Sequence, residues 1–168
     1  MKKLYLLRHA STASPTGLAD DLRPLSVRGK EEAKEVGETM RLEHIKPEKW
    51  LVSGAKRTTD TCQRILLAGK FKHEPIYDKS LYLASAGEII RYLNKVDDNP
   101  ESIIVIAHNP GIEQLLKLLC GSHGNTKALR ALNTGYPPAT LSVIGVDISS
   151  WDELEVGKGQ LINVYLTT

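Results

Sequence analysis

The stretch Ser102-Ile103-Ile104-Val105-Ile106-Ala107 is the clearest structural signal in the sequence, and it decides the fold class. Its central residues are all apolar and lack the alternation of a strand that has one face in water. An unbroken apolar run of this length is typical of a strand that is buried on both faces, as in the middle of a parallel sheet. We therefore expect a central strand here, with helices packed on both sides.

Strands and helices alternate on either side of this stretch. The predicted strands cover residues 4–7, 50–53, 102–107, 140–147 and 160–167, with a short extended piece at 75–77. The predicted helices begin at a cap on Ser26, at about Lys56, at a capping box on Ser85, and at Asn109 with Pro110 in the first helical position. A turn-rich segment joins the last two strands, which predicts an antiparallel pair. The pattern predicts one α/β domain over 1–168, a three-layer α/β/α sandwich with a mostly parallel central sheet.

The composition is that of an ordinary globular protein, and it excludes several function classes. Of 168 residues, 41% are hydrophobic and 25% are charged, and the formal net charge is +2. This charge is too small to predict nucleic acid or a membrane surface as a partner. No apolar run approaches the roughly 18 residues of a membrane span, and no targeting segment is evident, so we expect a cytoplasmic monomer. Cys62 and Cys120 lie in apolar helical patterns and are expected to be reduced core residues.

Basic and polar side chains follow three of the predicted strands. Arg8 and His9 follow the first strand, Arg57 lies just beyond the second, and His108 and Asn109 follow the central one. Ligands of open α/β sheets bind at the carboxyl ends of the strands, so we expect these side chains to lie at one edge. No acidic residue lies among them. They therefore predict a cationic pocket for an anion with several oxygens, of which phosphate is the common case.

Each of these residue types suits phosphoryl transfer, which needs in-line positioning and stabilisation of charge on the equatorial oxygens. Arginine offers a fork of donors that matches two phosphate oxygens. A neutral imidazole is nucleophilic near pH 7, and a protonated imidazole donates to a phosphate oxygen. Thr58 and Thr59 begin the second helix, where free backbone N–H groups could contact an anion. Taken singly, each residue has a plainer interpretation as a loop end, a turn residue or a helix surface charge.

Four sequence blocks resemble those of the histidine phosphatase superfamily, whose fold is called phosphoglycerate-mutase-like. Residues 6–10, Leu-Leu-Arg-His-Ala, resemble its Arg-His-Gly signature, residues 53–61 resemble its block Ser-x-x-x-Arg-Thr-x-x-Thr, and residues 105–110 resemble its third block. Residues 21–29 have a counterpart in the short bacterial phosphohistidine phosphatases of the SixA type, which the chain resembles most. The blocks follow the family's order between residues 4 and 112.

The resemblance implies a role for each matching residue. His9 would be the nucleophile that becomes phosphorylated, and the other catalytic residues would be Arg8, Arg57 and His108. The residues expected to contact substrate are Arg8, Arg57, His108, Asn109 and Arg23. Because the family needs no metal, neither a metal nor another cofactor is expected here.

Two departures from the family pattern concern the signature glycine and the general acid. Ala10 stands in place of the glycine. Alanine fits at this position unless the backbone there has a positive φ. The acid is missing from both of its usual places, because residues 80–85 contain no carboxylate and Asn109 follows the second histidine.

Two accounts of the missing acid remain open. A loop carboxylate could serve, with Asp21 or Asp20 the candidates beside Arg23, although Asp21 could also be a turn residue or pair with Arg23. The other account is that the substrate hardly needs an acid. Phosphohistidine releases an imidazole, which leaves far more easily than an alkoxide.

The resemblance thus implies a metal-independent phosphatase that forms a phosphohistidine intermediate on His9. Its substrate would be a phosphohistidine protein or a small phosphomonoester. The connections after the strands are expected to be short, so the pocket should be open and suit a phosphate on a protein surface. A general small-molecule phosphomonoesterase fits the same openness. A non-catalytic module that binds phosphate or a phosphoprotein is a third alternative, which the two histidines disfavour because binding alone would need only the arginines.

Overall fold

The computed structural model covers residues 1–168 and contains a six-stranded sheet and five α-helices. The strands are β1 (Lys2–Arg8), β2 (Lys49–Ser53), β3 (Ile76–Asp78), β4 (Ser102–Ala107), β5 (Leu141–Val146) and β6 (Gly159–Tyr165). The helices are α1 (Val27–Leu42), α2 (Lys56–Gly69), α3 (Ala86–Asn94), α4 (Gly111–Cys120) and α5 (Thr126–Ala131). None of these helices has the length and apolar character needed to cross a membrane.

The strands follow the order β3-β2-β4-β1-β5-β6 across the sheet. The first four in this order are parallel, whereas β5 is antiparallel to β1 and β6 is antiparallel to β5. The predicted mostly parallel sheet and the late antiparallel pair are therefore confirmed. Because β4 lies between β2 and β1 and is covered on both faces, its sequence shows no alternation.

Alternate residues of β4 pack into two separate apolar clusters, one on each face of the sheet. Ile103 and Val105 belong to the cluster that includes α3, α4 and α5, whereas Ile104 and Ile106 belong to the cluster that includes α1 and α2. All four side chains are fully buried. Since each fully buried aliphatic side chain stabilises the fold by roughly 1.5–3 kcal/mol, this strand is a major source of stability. The two clusters make the predicted three-layer sandwich.

The helix starts follow local signals, with one correction. Ser26 caps α1 and Ser85 begins α3 in a capping box, as predicted. The predicted start of α4 is wrong by one residue, because Pro110 precedes the helix instead of opening it. The Oδ1 atom of Asn109 still accepts a hydrogen bond from the backbone N–H of Glu113, at 3.2 Å. The short helix α5 was not predicted from the sequence.

Candidate active site

Two histidines at the ends of neighbouring strands form the centre of a cluster of side chains at the carboxyl edge of the sheet, which we call the pocket. His9 follows β1 and His108 follows β4, and these strands pair in a register that sets Arg8 beside Ala107. The centroids of the two imidazole rings are 5.4 Å apart. Only 9% of His9 and 2% of His108 is exposed. The structure therefore brings together the two imidazoles that the sequence analysis placed at one edge.

A backbone contact fixes the orientation and the tautomer of His9. Its Nδ1 atom lies 2.8 Å from the carbonyl oxygen of Ala10, which can only accept, so we assign the ring proton to Nδ1. This leaves the lone pair of Nε2 free. Burial, together with the positive charges of Arg57 and Arg8, lowers the pKa of His9 to about 4. The imidazole is therefore neutral at pH 7, which is the nucleophilic form.

The ring of His108 is held by a buried hydroxyl. The Oγ atom of Ser53 lies 2.7 Å from Nε2 of His108 and also accepts a weaker contact from the backbone N–H of Ala55 at 3.5 Å. We assign the hydroxyl proton to the bond with Nε2 because this nitrogen is the only acceptor within hydrogen-bond distance of Oγ, and the ring proton then lies on Nδ1, a buried atom without a hydrogen-bond partner. Burial, followed by the charges of His9 and Arg57, lowers the pKa of His108 to about 3. The sequence analysis predicts a protonated His108 that donates to phosphate. Because the pKa of His108 is low, this protonated form depends on a bound anion, which would raise the pKa.

Arg8 is oriented by a carbonyl group on the far side of the pocket. Its Nη1 atom donates to the backbone carbonyl of Tyr136 at 2.8 Å, whereas its Nε is buried without a partner. The amide of Asn109 donates to the same carbonyl and to Glu113, each at 3.3 Å. Asn109 therefore braces the segment that orients Arg8, and its contact with substrate stays a prediction. The Nε of Arg8 and the Nδ1 of His108 are two buried donors without acceptors, which folded proteins rarely leave unless a ligand completes them.

The spacing of the block around Arg57 is explained by the start of α2. The hydroxyl of Thr58 donates to the backbone carbonyl of Ser53 at 2.6 Å and closes the turn between β2 and α2. The hydroxyl oxygen of Thr61 accepts from the backbone N–H of Ala10 at 3.1 Å. The block thus fixes Arg57 relative to the segment that carries the first histidine.

A carboxylate from the segment after β1 contacts Arg57. Nη1 of Arg57 donates to the carbonyl oxygen of Asp20 at 2.7 Å, and Nη2 donates to Oδ2 of Asp20 at 3.0 Å. Arg23 donates to Oδ1 at 3.1 Å, and the hydroxyl of Tyr82 donates to Oδ2. The contacts with Tyr82 and Arg23, followed by that with Arg57, hold the pKa of Asp20 far below its usual range. Asp20 is therefore ionised at neutral pH and cannot act as a proton donor there.

Two tyrosines contribute to the site and were not found by sequence reasoning. Tyr82 follows a short 3-10 turn after β3, and its ring centroid lies 5.4 Å from that of His108 and 5.7 Å from the guanidinium carbon of Arg57. Its position after a fourth parallel strand is a signal that could have identified it. The buried hydroxyl of Tyr136 donates to the carbonyl of Leu6 at 2.8 Å. No motif in the sequence identifies Tyr136, because only the folded chain brings this residue to the carbonyl of Leu6.

The segment after β1 differs from the expectation of short connections and an open pocket. Residues 10–26 reach across the pocket edge and bring Asp20 and Arg23 to Arg57. Asp21, one of the two candidates for the acid, is exposed, and its side chain makes no hydrogen bond or ion pair. The structure therefore does not bring Asp21 into the site, because the turn directs the neighbouring Asp20 there instead.

Four further observations concern the start of α2, residue 10, the two cysteines and possible metal ligands. The sequence analysis predicts a free backbone N–H at Thr59 that could contact an anion. This N–H instead donates to the carbonyl of Ala55 at 3.0 Å, so the prediction is wrong for Thr59. Ala10 has no positive φ, and alanine therefore fits at the position of the signature glycine. Cys62 and Cys120 are free and buried, and burial raises the pKa of each thiol to about 12. No group of three or more histidine, cysteine, aspartate or glutamate side chains is arranged to hold a metal ion.

A mostly parallel α/β/α sandwich with paired histidines and arginines at its carboxyl edge defines a class of phosphoryl-transfer enzyme. The family model of the histidine phosphatase superfamily (branch 1) matches residues 4–89. The chain belongs to this superfamily and is a phosphatase. The matched range contains His9, Asp20, Arg57 and Tyr82, whereas His108 lies beyond it.

Relatives with similar sequences extend over nearly the whole chain. An uncharacterised protein of Mycobacterium tuberculosis is 29% identical over 161 residues, which cover 95% of this chain and 99% of the relative. An uncharacterised protein of Mycobacterium leprae is 28% identical over 160 residues, which cover 93% of this chain and 96% of the relative. The last third of the chain, which carries β5 and β6, therefore has a counterpart in these relatives.

Solved structures with the same fold include several phosphatases. The SixA protein of Agrobacterium tumefaciens has a TM-score of 0.82 at 24% identity and covers 99% of both chains. The protein histidine phosphatase SixA in complex with tungstate has a TM-score of 0.77 at 18% identity, over 96% of this chain and 95% of the other. A mycobacterial glucosyl-3-phosphoglycerate phosphatase has a TM-score of 0.64 at 16% identity, over 95% and 96%. These similarities confirm the predicted fold.

Proposed function

We propose that this phosphatase removes the phosphoryl group from phosphohistidine on a protein, with His9 as the nucleophile. The observation that carries the proposal is the free Nε2 atom of a neutral, buried His9 in a pocket where Arg8 and His108 each have a donor without an acceptor. Phosphoryl transfer needs a positioned nucleophile and donors that match the oxygens of the transferred group. The pocket offers both.

The reaction takes two steps. In the first, Nε2 of His9 bonds to phosphorus, and the bond from phosphorus to the substrate nitrogen breaks with its electron pair passing to that nitrogen. The substrate ring reacts in the form that is protonated on its other nitrogen, so that a neutral imidazole leaves. In the second, a water oxygen bonds to phosphorus and the bond to Nε2 breaks, so that His9 recovers its lone pair and both water protons end on the released phosphate. Arg8 and Arg57 hold the phosphate oxygens throughout, and His108 donates from Nδ1.

The ionisation of the carboxylates supports a nitrogen leaving group. Asp20 is held ionised by its partners, and Asp21 lies outside the pocket. Neither residue supplies the proton that an alkoxide leaving group requires. An imidazole leaves with its own lone pair and needs far less help from an acid. The pocket therefore suits phosphohistidine better than an alkyl phosphate.

The test compares three substrates: a phosphohistidine protein, an aryl phosphate and an alkyl phosphate. We expect turnover of the first two and slow turnover of the alkyl phosphate, with no effect of chelators. Alkyl phosphate turnover as fast as that of phosphohistidine would rule out the proposed substrate class and favour a general phosphomonoesterase. Phosphate binding without any turnover would favour the binding module.

A variant and its control test the nucleophile. His9→Ala should abolish turnover, because the residue that forms the bond to phosphorus is gone, whereas His123→Ala removes an exposed histidine beyond α4 and should leave activity unchanged. Brief incubation with labelled substrate should leave an acid-labile, alkali-stable label on His9. Turnover by the folded His9→Ala variant would contradict this assignment.

A further inference from the structure

The backbone and side chain of Asp20 together accept a hydrogen bond from each terminal nitrogen of Arg57. Nη1 and Nη2 of Arg57 donate to the carbonyl and carboxylate oxygens of Asp20, at 2.7 Å and 3.0 Å. The side chain of Arg57 is only 4% exposed, so few other acceptors can reach it. A forked contact between arginine and phosphate requires two of its N–H groups. A phosphate that enters the pocket therefore meets a guanidinium group that already has an anionic partner.

Two further side chains hold the carboxylate in this place. Arg23 donates to Oδ1 of Asp20 at 3.1 Å, and the hydroxyl of Tyr82 donates to Oδ2. The ring of Tyr82 also lies against Arg57 and His108. The carboxylate is thus placed among the cations and rings of the pocket by contacts from three separate elements. Its negative charge also acts on His108.

Apart from its bonds to Arg57, the turn that carries Asp20 has no buried partner. The 3-10 turn Asp20–Leu22 contains no buried residue, and residues 11–24 are all at least partly exposed. The bonds between backbone groups of the turn are local, from the N–H of Leu22 to Ala19 and from the N–H of Arg23 to Asp20. A segment with so few buried contacts can separate from its neighbours at low cost. The carboxylate can therefore leave Arg57 without disturbing the core.

We propose that Asp20 is an internal competitor for phosphate on Arg57 and Arg23. Its carboxylate occupies the two arginines in the empty pocket, leaves when a phosphoryl group binds, and returns to displace inorganic phosphate at the end of the reaction. This role extends the proposed function, on which it rests only in that Arg57 binds phosphate. No covalent bond changes in this exchange, because one anion replaces another.

The experiment measures the affinity for inorganic phosphate by titration calorimetry, without turnover. Asp20→Asn keeps the size of the side chain and removes its charge, so phosphate should bind about tenfold more tightly, the change that about 1.4 kcal/mol produces. Asp21→Asn makes the same substitution one residue further along the same turn, where the side chain has no partner, and should leave the affinity unchanged.

A second variant separates competition from a structural effect. Tyr82→Phe keeps the ring beside Arg57 and His108 and removes one of the contacts that hold Asp20, so phosphate should bind about two- to threefold more tightly. In the D20N background the same substitution should have no further effect, since the hydroxyl then has no carboxylate to hold. Urea unfolding of each variant shows whether the fold is intact.

Three outcomes would overturn the inference. Unchanged phosphate affinity in Asp20→Asn would show that the carboxylate does not compete. Weaker binding would show that Asp20 positions the arginines. No phosphate binding by any of the proteins would show that Arg57 does not bind phosphate. Failure to hydrolyse phosphohistidine would overturn the proposed substrate but not the competition, because the binding measurement does not depend on turnover.

Discussion

Lowering the pH from 7 to 5.5 tests the electrostatics of the pocket, because His9 and an ordinary histidine should respond to it differently. His9 is almost fully buried and lies among arginines, and both effects oppose a positive charge on its ring. We expect His9 to stay neutral and nucleophilic well into the acidic range. His108, whose pKa is lowered to about 3, should also stay neutral.

The size of the effect follows from the pKa of about 4. At pH 5.5 this value leaves about 97% of His9 neutral, whereas a histidine with the ordinary pKa of about 6.5 would be only about 9% neutral. The difference is about tenfold in the concentration of the nucleophilic form. The lowering of the pKa from 6.5 to about 4 means that the charged ring is disfavoured by about 3 kcal/mol, since one pKa unit is about 1.4 kcal/mol.

The measurement is a pH titration of protein with ¹⁵N-labelled histidine, followed by long-range ¹H–¹⁵N correlation spectra in a phosphate-free buffer. These spectra report the protonation of each ring nitrogen, and His9→Ala and His108→Ala assign the signals. Free histidine in a parallel sample gives the ordinary response. We expect His9 to show a protonated Nδ1 and a bare Nε2 from pH 7 down to 5.5, as its bond to the carbonyl of Ala10 requires.

Two results would refute the reasoning. A titration of His9 with a midpoint near 6.5 would show that burial and the arginines do not control its charge. A proton on Nε2 at pH 7 would show that the bond to Ala10 does not set the tautomer, and the nucleophile would then point its proton, not its lone pair, into the pocket.

Two further predictions concern the anion and the packing of the helices. Binding of sulfate, which is a dianion at pH 6, should be accompanied by uptake of about one proton, because a dianion beside His108 raises its pKa; calorimetry in two buffers with different ionisation enthalpies measures this, and a binding enthalpy independent of buffer would contradict it. Gly111→Ala should destabilise the fold by about 2 kcal/mol or more, since the added Cβ would lie 2.1 Å from the backbone oxygen of Ala84. Gly87→Ala, whose nearest contact is the end of the Arg91 side chain at 3.4 Å, should instead stabilise α3 by about 0.5–1 kcal/mol, and equal urea midpoints for the two variants would contradict the argument.

The fold could be predicted because the spacing of apolar residues in a strand or helix shows which of its faces are buried. The run Ile103–Ile106 lacks alternation because both faces of β4 are covered, and the spacing of apolar residues after Ser26 follows the helical period. The spacing of apolar residues does not predict α5, because this helix spans only six residues and has one buried side chain, Ala128. The start of α4 was misplaced because the sequence does not show how far from the helix Asn109 can cap it.

The candidate site was predictable where residues lie at or just beyond the carboxyl ends of strands. Arg8, His9 and His108 have this relation to the sheet, so strand prediction and the rule of carboxyl ends were sufficient. Asp20 and Asp21 are adjacent acidic residues in an irregular segment, and only the geometry of the turn determines which of them contacts Arg57. The low pKa values of the histidines depend on burial and on distant charges, which single-residue reasoning does not include.

The charge balance of the pocket links Asp20 and His108 in a way that can be tested. When a dianion such as sulfate replaces Asp20 on the arginines, two negative charges take the place of one, and we expect a proton on His108 to offset the difference. Affinity and proton uptake should nevertheless depend on different groups. His108 is neutral in the empty pocket whether or not Asp20 is charged, because burial is the largest cause of its low pKa and the charge of Asp20 acts in the opposite direction. Asp20→Asn should therefore change the affinity for sulfate but leave the number of protons taken up with sulfate at pH 6 the same. If proton uptake disappeared together with the competition, Asp20 and not His108 would be the group that takes up the proton.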